Sequence, residues 1–270
     1  MLATILFLIS AALPAPILHL RADRGVVLDA QRRVATWKDI SARHTDFETS
    51  RLGRPQLVFL TSFRDTAEKR VFKALDSDAK LRPRLVRVGI GGKPSIAFDG
   101  AQALVNSSSL PLDSGFSLFV VAQNLSPNGQ CATMIDKGPG DFNTDLPNGH
   151  AGGVNGAFNM GIAWIHDVAH SEFRTNQPTL YESAWNGKRG SLWANGQFLQ
   201  SGEHLQKLDR NPATWMGGVL NPHGVLQNFL VGRISEVIIY PRELDPHDRQ
   251  MVEKLLMAKY RISASSPEHL

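Results

Sequence analysis

The chain has 270 residues, a formal net charge of +4 at pH 7, 42% hydrophobic residues and 20% charged residues. These values are ordinary for a folded protein, and they exclude a disordered or collagen-like chain. A chain of this length can bury a sizeable core. Cys131 is its single cysteine, so no intramolecular disulfide can support the fold.

Residues 1–12 (MLATILFLISAA) form an uncharged apolar run that ends in small residues. The run is too short to span a bilayer comfortably, and we interpret it as a secretory signal peptide. A buried N-terminal strand is the alternative. The signal peptide predicts a protein that is secreted or held in the cell envelope, with no transmembrane segment after cleavage. Residues 13–270 would then form a single domain.

Short alternating or continuous apolar runs predict β-strands along most of the chain. The strands are expected at residues 17–22, 34–37, 95–98, 117–122, 134–135, 161–165, 180–185 and 190–194. Asn195 and Gly196 have the composition of a tight hairpin turn. Trp37 and Trp193 alternate with apolar neighbours, and we expect both rings to point into the core.

The segment from residue 229 to 262 predicts a strand followed by a helix. Residues 234–240 are β-branched and apolar on both faces apart from Ser235 and Glu236, as in a central strand covered on each side. We expect Glu236 to be held by a basic side chain of the covering helix, because an unpaired buried carboxylate is costly. The helix should be capped by Asp245, and its apolar stripe should consist of Met251, Val252, Leu255 and Leu256.

Several segments together resemble bacterial laminin-G-like domains of the concanavalin A-like lectin and glucanase superfamily. They are HLRADRGVVLDAQRRVATWKDIS, GGKPSIAFDG, GFSLFVVAQ, SLWANGQ, GRISEVIIYPREL and KLLMAKYRI, in that order between residues 17 and 262. The resemblance implies an all-β fold, a two-sheet antiparallel jelly-roll β-sandwich with a short C-terminal α-helix. The superfamily contains lectins, adhesion modules, hydrolases and lyases, so the resemblance specifies the fold better than the function.

Residues 60–93 look like an insertion relative to that family pattern. Residues 66–78 have the apolar spacing of a short amphipathic surface helix. Between Arg64 and Lys93, nine basic residues stand against four acidic ones, an excess that is larger than the net charge of the whole chain. This basic insertion is either a solvated surface or a region that attracts an acidic or sulfated polysaccharide.

Residues 124–178 are rich in Gly, Asn, Asp and Pro, and we expect long loops that carry function. Asp141, Asn143 and Asp145 offer oxygen ligands at alternating positions, as calcium loops do. Leu146 stands where an EF-hand needs Gly, so the segment is either a weaker Ca²⁺ site or a solvated turn. The laminin-G resemblance also implies Ca²⁺ as a candidate cofactor.

Aromatic and amide side chains of the same half predict a sugar-binding surface. An exposed ring can stack on the apolar face of a sugar, while amides hydrogen-bond its hydroxyl groups. Among the tryptophans, Trp164 and Trp185 are expected to be accessible. The candidate ligand-binding residues are Trp164, Trp185, Tyr181, Asn155, Asn186 and His166.

No catalytic residue is assigned. A hydrolase resembling the laminarinase group would carry two glutamates and an aspartate at alternating positions of one strand, and that pattern is absent. A polysaccharide lyase of this fold would use a histidine and a tyrosine. His166 and Tyr181 are the pair that the sequence offers, although their spacing does not place them together.

The sequence therefore predicts a secreted, non-catalytic carbohydrate-binding or adhesion module, with Ca²⁺ as a candidate cofactor and a preference for acidic glycans. Its partner would be a polysaccharide or glycoconjugate, and we expect no nucleic-acid partner. Two alternatives remain: a polysaccharide-cleaving enzyme, either lyase or glycoside hydrolase, and a structural envelope protein that mediates protein contacts.

Overall fold

The computed structural model describes residues 13–41, 47–49, 82–106, 110–112, 114–126, 132–137, 142–146, 158–162, 165–170, 176–203, 213–220 and 226–264. For residues 47–49, 142–146, 159–162, 165–170 and 219–220 it describes the backbone alone. The predicted signal peptide, Cys131 and the predicted helix at 66–78 lie outside the described residues.

The described chain folds into an antiparallel β-sandwich of two large sheets with one C-terminal α-helix, as the sequence predicts. In chain order the strands are β1 (Leu18–Arg21), β2 (Val26–Leu28), β3 (Val34–Trp37), β4 (Phe47–Thr49), β5 (Arg84–Val86), β6 (Ser95–Asp99), β7 (Leu104–Asn106), β8 (Phe116–Asn124), β9 (Ala132–Lys137), β10 (Phe142–Leu146), β11 (Asn159–Ile162), β12 (Ile165–His170), β13 (Thr179–Trp185), β14 (Arg189–Ala194), β15 (Gln197–Glu203), β16 (Thr214–Met216), β17 (Val219–Leu220), β18 (Leu226–Gln227) and β19 (Val231–Tyr240). The helix is α1 (Pro246–Tyr260).

The first sheet has the strand order β15-β14-β13-β8-β19-β6-β5, and β1 also pairs with β19. The second sheet has the order β12-β11-β10-β9-β16-β7-β4-β3-β2, and β17 and β18 form a separate hairpin. Asn195 and Gly196 connect β14 to β15 with φ angles of 50° and 77°. Positive φ at both central residues belongs to the type I′ turn that the Asn-Gly pair predicts.

The main core lies between the two sheets. It includes Leu20 of β1, Trp37 of β3, Val120 of β8 and Trp185 of β13, all of them buried. The expectation that Trp37 points inward is confirmed, since its side chain is fully buried. Trp193 was expected inward as well, and that expectation is wrong, because Trp193 is half-buried on the outer face of the first sheet.

Strand β19 lies at the centre of the first sheet, and its residues 234–240 are covered on both faces. It pairs with β8 on one side and with β6 and β1 on the other. Ile234, Val237 and Ile239 enter the main core, whereas Ile238 and Tyr240 pack beneath α1. The two-sided apolar pattern of residues 234–240 therefore has a direct structural cause.

Capping residues set both ends of helix α1. The Asp248 amide donates to Asp245 Oδ1 at 2.9 Å, which satisfies one of the free N–H groups of the first turn. Arg261 ends the helix in the left-handed conformation, at φ 54°.

The buried face of α1 differs from the predicted stripe. Val252 and Leu256 are buried as expected, but Met251 and Leu255 are 39% and 56% exposed. The row that faces the sheet runs through Val252, Leu256 and Tyr260, and Glu253 is buried beside it. Residues four positions apart share one side of a helix, and Met251 and Leu255 lie about 100° away from that row.

Within residues 124–178, the strand expected at 134–135 is confirmed as part of β9, and the one expected at 161–165 overlaps the end of β11 and the start of β12. Strand β10 was not expected, because Asn143 and Asp145 have weak β-propensity and become a strand only by pairing in the second sheet. Of the predicted insertion at 60–93, the structure describes residues 82–93, in which β5 pairs with β6 at the edge of the first sheet. No described helix is long and apolar enough to cross a membrane.

Candidate functional site

The structure places Trp185 and Tyr181 in the core rather than on a sugar-binding surface. Trp185 is 1% exposed and packs 6.5 Å from the ring of Phe116, measured between centroids. Tyr181 is 2% exposed and makes an edge-to-face contact with Phe158. Both side chains lie on the inward face of β13, so the expectation that they contact a ligand is wrong. Burial also raises the pKa of the Tyr181 hydroxyl, which keeps it protonated at neutral pH inside the core.

Asn186 is exposed but has a local structural role. Its Oδ1 accepts hydrogen bonds from the amides of Lys188 and Arg189 at 3.1 and 2.8 Å, and these bonds shape the turn between β13 and β14. His166 lies in β12, where the structure describes the backbone alone. Trp164 and Asn155 lie outside the described residues.

The predicted calcium loop is in part a strand. Asn143 and Asp145 belong to β10, which pairs with β9 on one side and β11 on the other. Backbone carbonyls of a strand paired on both sides are committed to neighbouring strands, whereas calcium loops use such carbonyls as ligands. Asp141, and the side chains of Asn143 and Asp145, lie outside what the structure describes.

The outer face of the second sheet is filled around Trp215. Trp215 stands opposite Val105 on one side and Asp136 on the other, and it is 4% exposed. Ala103 and Leu226 join it in a small apolar cluster, with Leu226 supplied by the β17–β18 hairpin. This part of the sheet therefore does not offer an open groove to a sugar chain.

A buried polar cluster links the end of α1 to the first sheet. Glu236 of β19 accepts a hydrogen bond from the Tyr260 hydroxyl at 2.7 Å and forms an ion pair with Lys259. His19 Nε2 lies 2.7 Å from the other carboxylate oxygen of Glu236. Burial alone would raise the pKa of Glu236, but the contacts with His19, Lys259 and Tyr260 outweigh it and lower that pKa.

This cluster is structural rather than catalytic. Glu236 and Tyr260 are 3% and 2% exposed, so a substrate has no access to them. Burial also raises the pKa of Tyr260 far above its ordinary value, which keeps the hydroxyl protonated as a hydrogen-bond donor to Glu236. The expectation that a basic residue of the covering helix holds Glu236 is confirmed by Lys259.

A second polar cluster lies beneath the first half of α1. Arg249 Nη1 lies 3.4 Å from Glu182 Oε2 and also pairs with Glu253, one helical turn ahead. Burial raises the pKa of Glu182 to about 8, an effect that Arg249 and the Gly196 amide only partly oppose. Two carboxyl groups, one of which is protonated at neutral pH, are the kind of pair that a glycosidase uses.

The burial of these groups prevents that chemistry. Glu182 and Glu253 are 2% and 5% exposed, and the Arg249 guanidinium lies between their carboxyl groups. A glycosidic bond cannot reach both. The cluster therefore joins α1 to β13, and we assign it no reaction.

An exposed aromatic platform, formed by Trp193 and Phe198, lies beside this second cluster. The two rings belong to β14 and β15 and make an edge-to-face contact with centroids 5.8 Å apart. Phe198 is 52% exposed, and among the described side chains it is the only exposed Phe, Tyr or Trp ring. The Arg249 guanidinium lies 4.4 Å from the ring centroid of Trp193, which holds the platform against α1.

The sequence interpretation missed this platform. Phe198 and Leu199 are adjacent in β15, and only the register with β14, which shifts between Leu192 and Trp193, decides which of them faces the core. Glu182 could have indicated that Trp193 faces outward. It stands directly opposite Trp193, so the two side chains share one face, and a charged residue in mid-strand marks that face as the outer one.

No protein-family model matches the chain, and no curated protein sequence matches it. Solved structures share its fold at low sequence identity. The binding domain of botulinum neurotoxin serotype D/C VPI 5993 matches at a TM-score of 0.56 and 11% identity, over 90% of this chain and 52% of that one. The binding domain of botulinum neurotoxin serotype C1 matches at a TM-score of 0.54 and 10% identity, again over 90% and 52%.

A third similar structure has about the length of this chain. Domain 4 of AbnA, a GH43 extracellular arabinanase from Geobacillus stearothermophilus, was solved in complex with arabinotriose. It matches at a TM-score of 0.53 and 14% identity, over 88% of this chain and 98% of that domain. The chain spans about half the length of the neurotoxin domains that it matches. These likenesses establish a β-sandwich fold that is shared with the three domains.

Proposed function

We propose that this protein is a secreted, non-catalytic carbohydrate-binding module of the laminin-G-like kind, and that the Trp193–Phe198 platform contacts the sugar. The exposed ring of Phe198 carries this proposal. A large apolar ring costs free energy in water, and stacking on the apolar face of a sugar ring removes that cost.

The contacts that hold Trp193 in place favour a ligand-binding role for the platform. Trp193 is fixed between Phe198 and Arg249, so the apolar surface is rigid before a ligand arrives. Rigid surfaces lose less conformational entropy on binding. The fold shared with a domain that was solved with arabinotriose gives a second line of support.

The burial of three glutamates supports the non-catalytic part of the proposal. Glu182, Glu236 and Glu253 are all buried and are engaged with α1 or carried by it. Calcium assistance and a preference for acidic glycans are also proposed. Calcium would be held near Asp141, Asn143 and Asp145, whose residue types suit it.

Isothermal titration calorimetry of the full chain against arabinotriose and a panel of neutral and acidic oligosaccharides tests the proposal, with and without EDTA. We expect measurable binding to at least one glycan. Phe198→Ala should weaken that binding about tenfold or more, since stacking on one ring supplies roughly 1–2 kcal/mol. Leu255→Ala is the matched control, because Leu255 is 56% exposed on α1 and equally apolar.

Three outcomes would contradict the proposal. No binding across the panel would favour a structural protein that contacts other proteins. If Phe198→Ala and Leu255→Ala lose glycan affinity equally, the platform is not part of the binding site. Release of new reducing ends or unsaturated sugars from any polysaccharide would show an enzyme.

A further inference from the structure

The outer face of the first sheet is covered by α1 over only part of its area. The apolar cluster beneath the helix consists of residues such as Phe119, Val121, Ile238 and Tyr240, which lie toward one end of the central strands. Toward the other end, a single row of residues crosses four strands. Arg84 of β5 stands opposite Ala97 of β6, Ala97 opposite Arg233 of β19, and Arg233 opposite Gln123 of β8. We call these four residues the arginine row.

The arginine row points away from the core. Its neighbours along the strands, Leu85, Ile96 and Ile234 among them, pack into the main core, and side chains alternate along a strand. Arg84 is exposed, and Ala97, Arg233 and Gln123 are half-buried. Each of the four side chains therefore reaches solvent.

Both arginines of the row lack an acidic partner among the described residues, which distinguishes them from other arginines of the chain. Arg21 pairs with Asp23 at 2.8 Å, and Arg82 pairs with Asp29 at 2.6 Å. Arg84 and Arg233 form no such pair with any described side chain. A cation without an ion-pair partner at an accessible position keeps its full attraction for a ligand anion.

The charges around the row are unbalanced. Arg33 lies opposite Arg84 in an isolated antiparallel bridge and adds a third positive charge at the end of the row. The acidic residue nearest in register is Asp99, which belongs to the next outward position, opposite Val231. Asp29 accepts a hydrogen bond from the Arg33 amide, but its charge is paired with Arg82. Arg33, Arg84 and Arg233 against Asp99 therefore leave a positive surface, and a guanidinium binds carboxylate and sulfate through two parallel hydrogen bonds.

The spacing of the row suits a linear polymer. Neighbouring strands lie about 4.8 Å apart, so the backbones of Arg84 and Arg233, two strands apart, are separated by about 10 Å. This distance is roughly the length of one disaccharide. Ala97 lies between the two arginines and leaves the space above it free, and Gln123 offers an amide that is fixed by its bond to the Asn176 carbonyl at 3.1 Å.

We infer that the arginine row binds a linear acidic polysaccharide that runs across the strands, with anionic groups of alternate sugar units on Arg84 and Arg233. The Gln123 amide oxygen accepts a hydrogen bond from a sugar hydroxyl at the end of the row. The inference deepens the proposed function and rests on it, because it adds an anionic ligand class and a second surface to a carbohydrate-binding protein.

The test compares two polymers that share one backbone. The full chain is titrated with polygalacturonate and with its methyl ester, which lacks the charges, and heparin serves as the sulfated counterpart. We expect binding to polygalacturonate or heparin that is at least tenfold tighter than binding to the ester and that weakens with NaCl.

Variants then locate the site. Arg84→Gln/Arg233→Gln should lose at least tenfold in affinity for the acidic polymer. Lys188→Gln/Lys254→Gln removes the same charge from exposed positions outside the row and should stay within twofold of the parent chain. All four substitutions lie at accessible positions, and thermal unfolding should show that the variants are folded.

The possible results separate the two proposals. Equal losses in the two double variants would mean general charge attraction and would overturn the arginine row. Binding of neutral sugars without any preference for the acidic polymers would overturn it too, while leaving the carbohydrate-binding function in place. Failure to bind any glycan would overturn both.

Discussion

The Tyr260 hydroxyl, in the last turn of α1, donates a 2.7 Å hydrogen bond to Glu236 in the middle of β19. Lys259 and His19 contact the same carboxylate, so the helix, the central strand and β1 meet at a single side chain. The position of the closing helix on the sandwich depends on this one buried charge.

Glu236→Gln should destabilise the fold strongly. The substitution removes the charge but leaves Lys259 and its surroundings in place, and breaking a buried ion pair in this way costs about 3 kcal/mol or more. Tyr260→Phe removes one hydrogen bond to the same carboxylate and should cost about 2 kcal/mol. Urea denaturation followed by tryptophan fluorescence measures both values, and a loss below 1 kcal/mol in Glu236→Gln would contradict the structural role of the cluster.

The Glu236 carboxylate should also make the free energy of unfolding depend on pH. Because the folded state lowers the pKa of Glu236, its contribution is complete above the unfolded value of about 4.3 and is lost as the pH falls through the folded pKa. The difference in unfolding free energy between the parent chain and Glu236→Gln should therefore be constant from pH 7 to pH 5 and shrink below pH 4. A difference that stays constant down to pH 3 would contradict this assignment.

Glu182 should give the opposite pH dependence. Its folded pKa is raised to about 8 by burial, so the folded state holds a proton that the unfolded state has already lost above pH 5. Stability then falls between pH 5 and 8, by at most about 1.4 kcal/mol per pH unit. Glu182→Gln removes this dependence and should be more stable than the parent chain at pH 9. The urea midpoints of the parent chain and of Glu182→Gln, measured at pH 6 and pH 9, check the prediction. If the two midpoints differ by the same amount at both pH values, the prediction is refuted.

Gly91 and Gly92 allow a matched test of how closely α1 approaches the first sheet. Both residues have positive φ, 58° and 76°, so an alanine at either position carries about 1–2 kcal/mol of backbone strain. A Cβ at Gly91 would also overlap the Tyr260 carbonyl group, whereas a Cβ at Gly92 meets no atom within 4 Å. Gly91→Ala should therefore destabilise the fold by about 2 kcal/mol more than Gly92→Ala. Equal losses in thermal or urea unfolding would show that the helix end can move away freely.

The strand and helix at the end of the chain could be predicted from sequence because several local signals agree there. The β-branched run of β19, Pro241, the Asp245 cap and Pro246 each indicate the same boundaries. The second sheet gave much weaker signals. Asn143 and Asp145 favour turns locally, and only pairing with β9 and β11 makes them part of a strand.

The candidate site was harder to predict because β13 is covered on both faces. Alternation along the strand does not reveal which face meets the second sheet and which meets α1, so Trp185 could be assigned to either. Glu182 and Trp185 are three positions apart in β13, so their side chains point to opposite faces. The charged Glu182 marks the face away from the main core, which would have placed Trp185 inside it. The arginine row could not be found from sequence at all, because Arg84 and Arg233 are brought together only by the register of β5, β6 and β19.

The late position of β19 in the chain has a consequence for biosynthesis. His19 and Glu236, which meet in the folded protein, are 217 positions apart. During translation β1, β6 and β8 are all made long before the strand that joins them, so their free edges stay unpaired while the ribosome completes the chain. Exposed strand edges of this kind favour aggregation. The edges that β19 will join therefore stay open to aggregation for longer than in a protein whose central strand is made first.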